Sequence, residues 1–339
     1  MERIDTHAHI VPEVWRQWCH KYGLQRPDGM SGIPVSSMLY SIISTSWITV
    51  LIFYTQAWSP ESHIASMEEN RVTRSILSIT SPGTHLAESH EISRQITRET
   101  NNAIAEVCRQ YPDKFGFFAS LPLPDVDGSL EEIDYALDTL KADGFALMTN
   151  AKGHYLGDDK LDAVFAKLNE RKAIVFMHPT ACCHPDNPKG FWPLNKYMAP
   201  MMEYFFDTSR VVTNLLLSGT VVKYPNITYL VSHCGATLAP LVQRISAFSG
   251  GALSAEQIKE LFRTRFYFDL AGMPFPDLIH GFLTMSGPER LLYGSDGPYT
   301  PAPMVAKLAQ VMDEELPKLF DEEMIQKIYS GNAKQILNL

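Results

Sequence analysis

Eight short apolar runs, segments of helical periodicity between them, and polar groups at the carboxyl ends of several runs predict a (β/α)8 barrel for this 339-residue chain. The strand candidates are Arg3 to His9, Ser75 to Thr80, Phe115 to Leu121, Gly144 to Thr149, Ala173 to His178, Ile227 to His233, Phe266 to Leu270 and Leu291 to Gly294. Between them, Ala87 to Tyr111, Leu130 to Ala142, Asp159 to Arg171, Glu203 to Tyr224, Ala255 to Arg263 and Pro303 to Glu315 carry apolar residues three and four apart and read as helices. Ser59-Pro60-Glu61 reads as an N-cap followed by proline at the first helical position. An open doubly wound sheet is disfavoured, because no glycine-rich phosphate loop opens a helix after the first strand. With no linker, repeat or low-complexity segment, residues 1–339 read as a single domain.

Composition narrows the function. Hydrophobic residues at 45% and charged residues at 20% describe an ordinary globular protein. A net charge of -9 without a basic patch argues against nucleic acid as a partner. Cys19, Cys108, Cys182, Cys183 and Cys234 are odd in number and lack a disulfide spacing, and Met1 leads directly into a charged strand rather than a signal segment, so the expected location is the cytosol. One stretch stands apart: residues 29–60 contain no charged residue. Its length could span a bilayer, but its many Ser and Thr residues and the lack of a basic flank argue for an insertion over the barrel mouth or at a subunit contact. Such a loop is where substrate specificity is set.

The chemistry is concentrated in a few residues. His7 and His9 in Asp5-Thr-His7-Ala-His9 share one face of a strand, because side chains repeat with period two. His178 ends the fifth run, His233 the sixth, and Asp296 follows Leu291-Leu-Tyr-Gly-Ser, so each polar group lies at a strand's carboxyl end, where a barrel of this kind assembles its active site. A lone histidine at a strand end is ordinarily a hydrogen-bonded core residue; a His-x-His on the first strand plus further groups on later strands is a metal-type constellation. Imidazoles with a carboxylate suit one catalytic divalent metal, zinc first, with manganese or iron as alternatives. Cys182-Cys183-His184 is not a second site, since adjacent cysteines do not easily turn toward one ion.

Ile4-Asp5-Thr-His7-Ala-His9-Ile-Val-Pro12, Ser75-Ile-Leu-Ser-Ile-Thr-Ser-Pro-Gly83, Met177-His178-Pro179, Ser232-His233-Cys-Gly235, Tyr293-Gly-Ser-Asp296 and Gly331-Asn332-Ala333 together resemble the amidohydrolase-type decarboxylases grouped with aminocarboxymuconate-semialdehyde decarboxylase, over nearly the whole chain. The resemblance implies an amidohydrolase-type barrel with His7, His9, His178 and Asp296 as metal ligands and His233 facing the substrate. It also implies a single metal, because two-metal relatives use a bridging modified lysine and the fourth strand end here offers Met148, Thr149 and Asn150. Histidine at position 7, where dihydroxybenzoate-specific members carry Glu, and Ala236, where they carry Glu, place the chain in the His-x-His branch. Within it the fungal 6-methylsalicylate decarboxylases are the nearest group, by Trp58-Ser-Pro-Glu61 and Ser78-Ile-Thr-Ser-Pro-Gly83.

The implied reaction is non-oxidative loss of carbon dioxide from a hydroxylated aromatic acid, most simply 6-methylsalicylate to m-cresol. Asp296 and His233 are the candidate proton handlers. Family dimers place an arginine from the neighbouring subunit at the substrate; Arg244 occupies that spacing and is otherwise an ordinary surface residue of the helix after the sixth strand. Arg26 is the arginine candidate left in the first long loop, and Phe191, Trp192 and Phe275 are candidates for an apolar wall or, equally, core packing. The competing functions are a metal-dependent hydrolase of a lactone or amide, which the same ligands would serve, and a non-catalytic binding barrel.

Overall fold

The computed structural model describes residues 1–22, 58–180 and 197–339. Eight parallel strands form one sheet in the order β1 (Arg3–His9), β2 (Val72–Ser78), β3 (Phe115–Ala119), β4 (Gly144–Met148), β7 (Ile174–His178), β8 (Thr228–Val231), β9 (Phe266–Asp269) and β10 (Leu291–Leu292). A two-residue antiparallel pair, β5 (Asn150–Ala151) and β6 (His154–Tyr155), follows β4. Backbone bonds join the last strand to the first: Thr6 donates to Tyr293 O, Asp296 to His7 O and His9 to Gly297 O, at 3.0, 2.8 and 2.7 Å. The sheet is therefore the expected (β/α)8 barrel.

Helices cover the outside, among them His90–Gln110, Val126–Asp134, Asp162–Glu170, Glu203–Leu217, Leu238–Phe248, Ala255–Arg265, Asp277–Leu283 and Ala302–Leu319. The start of Pro60–Glu69 is a capping box, with Ser59 Oγ accepting from Ser62 N at 3.1 Å and Ser62 Oγ accepting from Ser59 N at 3.3 Å. The helical segment expected over Glu203 to Tyr224 is split, because Gly219 at φ 76° ends one helix and a short turn, Thr220–Lys223, follows. The apolar periodicity continues through such a break, so a pattern alone does not reveal it.

The barrel wall has an inner and an outer face. Ile4, Ile76, Phe118, Ala146, Phe176, Leu230, Tyr267 and Leu292, one from each barrel strand, form the buried interior cluster. Ala8, Leu77, Phe117, Phe145, Val175, Met177, Tyr229 and Phe268 point the other way, into the larger core beneath the helices. Alternation then lifts polar groups above the interior layer, Phe176 to His178 and Tyr267 to Asp269, each two residues on. On β1 strict alternation would put Ile4 and His7 on opposite faces. A register shift between Asp5 and Ala8 against β2 inserts one extra residue and turns both inward, which corrects the uninterrupted alternation expected over Arg3 to His9.

Among the described residues no helix is long and apolar enough to cross a membrane. The uncharged 29–60 segment lies outside them except for its last residues, Trp58 to Pro60.

Candidate metal centre

His7, His9, His178 and Asp296 converge at the carboxyl end of the barrel, each offering one ligand atom, with these atoms all within 4.8 Å of one another. His7 and His9 are fully buried and His178 is 2% exposed. The Nε2 atoms of His7 and His9 stand 3.2 Å apart, and Asp296 Oδ1 lies 3.5 Å from the first and 3.1 Å from the second.

The tautomers follow from the partners on the far side of each ring. Asp269 Oδ2 accepts from His7 Nδ1 at 2.9 Å, and the Ser78 carbonyl faces His9 Nδ1 at 3.3 Å. Both acceptors place a hydrogen on Nδ1 and turn the two Nε2 atoms toward each other and a carboxylate oxygen. The space they share suits a cation, either a proton on one Nε2 or a metal ion that replaces it. His178 adds a buried Nδ1 with no hydrogen-bond partner among the described residues. These features fit a divalent ion, and the four residues form a divalent-metal site.

Burial would lower His7, but Asp269 and then Asp296 push its pKa up to about 10, so an entering ion must displace its Nε2 proton. Burial holds His9 and His178 below the usual imidazole value, so both are neutral as ligands must be. Burial alone would raise Asp296, but the imidazoles of His233, His7 and His9 outweigh it and hold the carboxyl well below the usual range.

Asp296 has two differently employed oxygens. Oδ1 faces the imidazoles, whereas Oδ2 accepts from Thr300 Oγ1 at 3.3 Å and lies 3.9 Å from His233 Nε2. The backbone here is held in uncommon conformations: Asp296 at φ 57°, His233 at 57°, Cys234 at 54° and Ala236 at 51° are all left-handed without being glycine. Such strain concentrates at functional sites, and here the His233 ring lies with its centroid 5.1 Å from that of His7. The sixth run accordingly stops at Val231, short of the expected His233, which falls in a tight turn.

The other expected site residues fare differently. Arg244 is exposed on Leu238–Phe248, with its guanidinium 5.3 Å from the Phe248 ring centroid. Arg26, Phe191, Trp192 and the Cys182-Cys183-His184 run lie outside the described residues. Phe275 is half-buried against the outer core, as core packing requires. The site also contains residues that sequence reasoning missed. Asp269, which ends Phe266-Tyr-Phe-Asp at a strand terminus like the ligands themselves, carried a signal that could have found it. Thr300 carried none.

The sequence profile of the family described as Amidohydrolase matches residues 4–339. A 6-methylsalicylic acid decarboxylase of Penicillium expansum is 32% identical, covering 99% of this chain and 96% of the relative. Decarboxylase macB of Penicillium terrestre is 31% identical, covering 96% and 93%. Among solved structures, 5-carboxyvanillate decarboxylase of Novosphingobium aromaticivorans, complexed with manganese and 4-hydroxy-3-methoxy-5-nitrobenzoic acid, superposes with a TM-score of 0.82 at 20% identity, covering 100% of this chain and 96% of that one. This last likeness carries the fold alone.

Proposed function

Because the chain belongs to the amidohydrolase family and is a carboxy-lyase within it, we propose that it converts 6-methylsalicylate to m-cresol and carbon dioxide by a metal-dependent, non-oxidative route. The observation that carries this reading is the divided Asp296 carboxylate, one oxygen in the ligand cluster and the other beside Thr300 and His233. When bound, the ion would supply positive charge that offsets negative charge developing on the substrate. His7, His9, His178 and Asp296 are its proposed ligands, zinc the proposed ion from the nitrogen-rich donor set, with manganese and iron the competitors.

Asp296 is ionised at rest and becomes an acid only by taking a proton, for which the substrate phenol is the source. In the proposed sequence its carboxyl passes that proton to the ring carbon bearing the carboxylate, breaking aromaticity. The bond to the carboxylate then breaks, its electron pair returns to the ring, carbon dioxide leaves, and the phenolate oxygen takes a proton from water to give m-cresol. His233 orients the donor and the substrate. Arg26, Phe191 and Trp192 are proposed substrate contacts. Arg244 is proposed to reach the neighbouring site of a homodimer, supported by the exposed Phe248 beside it. A cytosolic location is supported by the free thiols of Cys19, Cys108 and Cys234.

The test is to incubate metal-analysed protein with 6-methylsalicylate and follow carbon dioxide and m-cresol, with His7→Ala as control. Turnover lost in the control, and reduced at least ~10²-fold in Asp296→Asn, is expected. Absence of carbon dioxide from fully metallated protein would sink the substrate assignment, and water-consuming turnover of a lactone would sink the decarboxylase reading.

A further inference from the structure

Building on the metal-centre reading above, we infer that Asp269 is a positioning residue that ties the metal-facing ring of His7 to the backbone carrying His233. Asp269 is 2% exposed and ends β9 between the two. Its Oδ2 accepts from His7 Nδ1 at 2.9 Å; its Oδ1 accepts from the backbone N–H of His233 and that of Ala271, each at 3.0 Å. One buried carboxylate thus holds a ring from the first barrel strand and a turn after the sixth.

Each bond constrains something a metal-dependent proton transfer needs. A carboxylate oxygen 2.9 Å from Nδ1 serves as its acceptor, so His7 keeps a hydrogen on Nδ1 and turns Nε2 toward the ligand cluster. The His233 N–H belongs to a residue at φ 57°, in a turn that non-glycine residues rarely adopt. A fixed acceptor for that N–H pins the turn, and with it the distance from His233 Nε2 to Asp296.

Asp269→Asn is isosteric, retains an oxygen for the backbone N–H groups and offers an NH2 where His7 needs an acceptor. Titration of metal-stripped protein with Mn2+, read by the resonance of the free ion, is expected to show affinity reduced about 10–100-fold. At saturating Mn2+ the variant is expected to turn over more slowly with KM unchanged. Affinity within about twofold of the wild type would overturn the inference, as would a fall in melting midpoint alone, the mark of a merely structural role. If Asp269→Asn does not fold, Asp269→Glu, whose extra methylene displaces the carboxylate, is titrated with the same criteria. Wild-type protein that takes up no Mn2+, Zn2+ or Fe2+ would instead remove the metal-centre reading and this inference with it.

Discussion

His7 lies between two carboxylates inside the barrel, and that placement couples metal binding to pH. Burial opposes charging of the ring, but Asp269 first and Asp296 after it outweigh burial and push its pKa up to about 10 in metal-free protein. Below that value Nε2 carries a proton that an entering ion must displace. We predict that Mn2+ affinity rises about tenfold per unit between pH 6 and 8, through displacement of this proton, and that binding releases protons detectable calorimetrically in buffers of different ionisation enthalpy. A flat affinity profile over that range would refute it. Residue by residue, the ligand set was legible because imidazoles at strand ends are conspicuous by type and place. The pairings of their supports were not, although Asp269 itself stands at a strand end as the ligands do. Asp269 acts through a hydrogen bond to a residue 262 positions away, and Thr300 through one hydroxyl on the last loop, pairings that no local pattern announces.

Strands and turns set the distances between those residues. Gly294 follows β10 with backbone so close to β1 and β9 that a Cβ there would lie 2.8 Å from His7 Cβ and 3.1 Å from Asp269 Cβ. We predict that Gly294→Ala forces these strands apart, costs about 1–3 kcal/mol of stability and lowers Mn2+ affinity, measured by denaturant unfolding and metal titration. Wild-type values on both counts would show that the wall yields without consequence. All eight barrel strands were legible, since each is an apolar run bounded by turn residues. The β1 bulge was not, because one extra residue in the pairing leaves no trace in composition. Nor was the end of Ala302–Leu319 legible: Pro317 argues for a stop at Glu315, yet it sits in the last turn, where the helix has little left to lose.

At the scale of the whole molecule the two ends of the barrel do different work. At the amino end, buried Arg3 donates to Asn70 O and to Asp313 Oδ1, both at 2.6 Å, and its guanidinium lies 4.5 Å from the Tyr329 ring centroid. We predict that Arg3→Ala costs about 3 kcal/mol in unfolding free energy while leaving Mn2+ affinity within about twofold, because this end of the barrel carries stability and the other carries chemistry. A large loss of metal affinity would contradict that division. At the carboxyl end, His7 and His9 bond through their backbone to the segment that carries Asp296, so three of the four proposed ligands meet on the seam that closes the sheet. On the ribosome, the two histidines emerge with the first strand of this barrel, and the aspartate only after seven more strands have been made. The complete ligand set therefore exists only once the last barrel strand has been made.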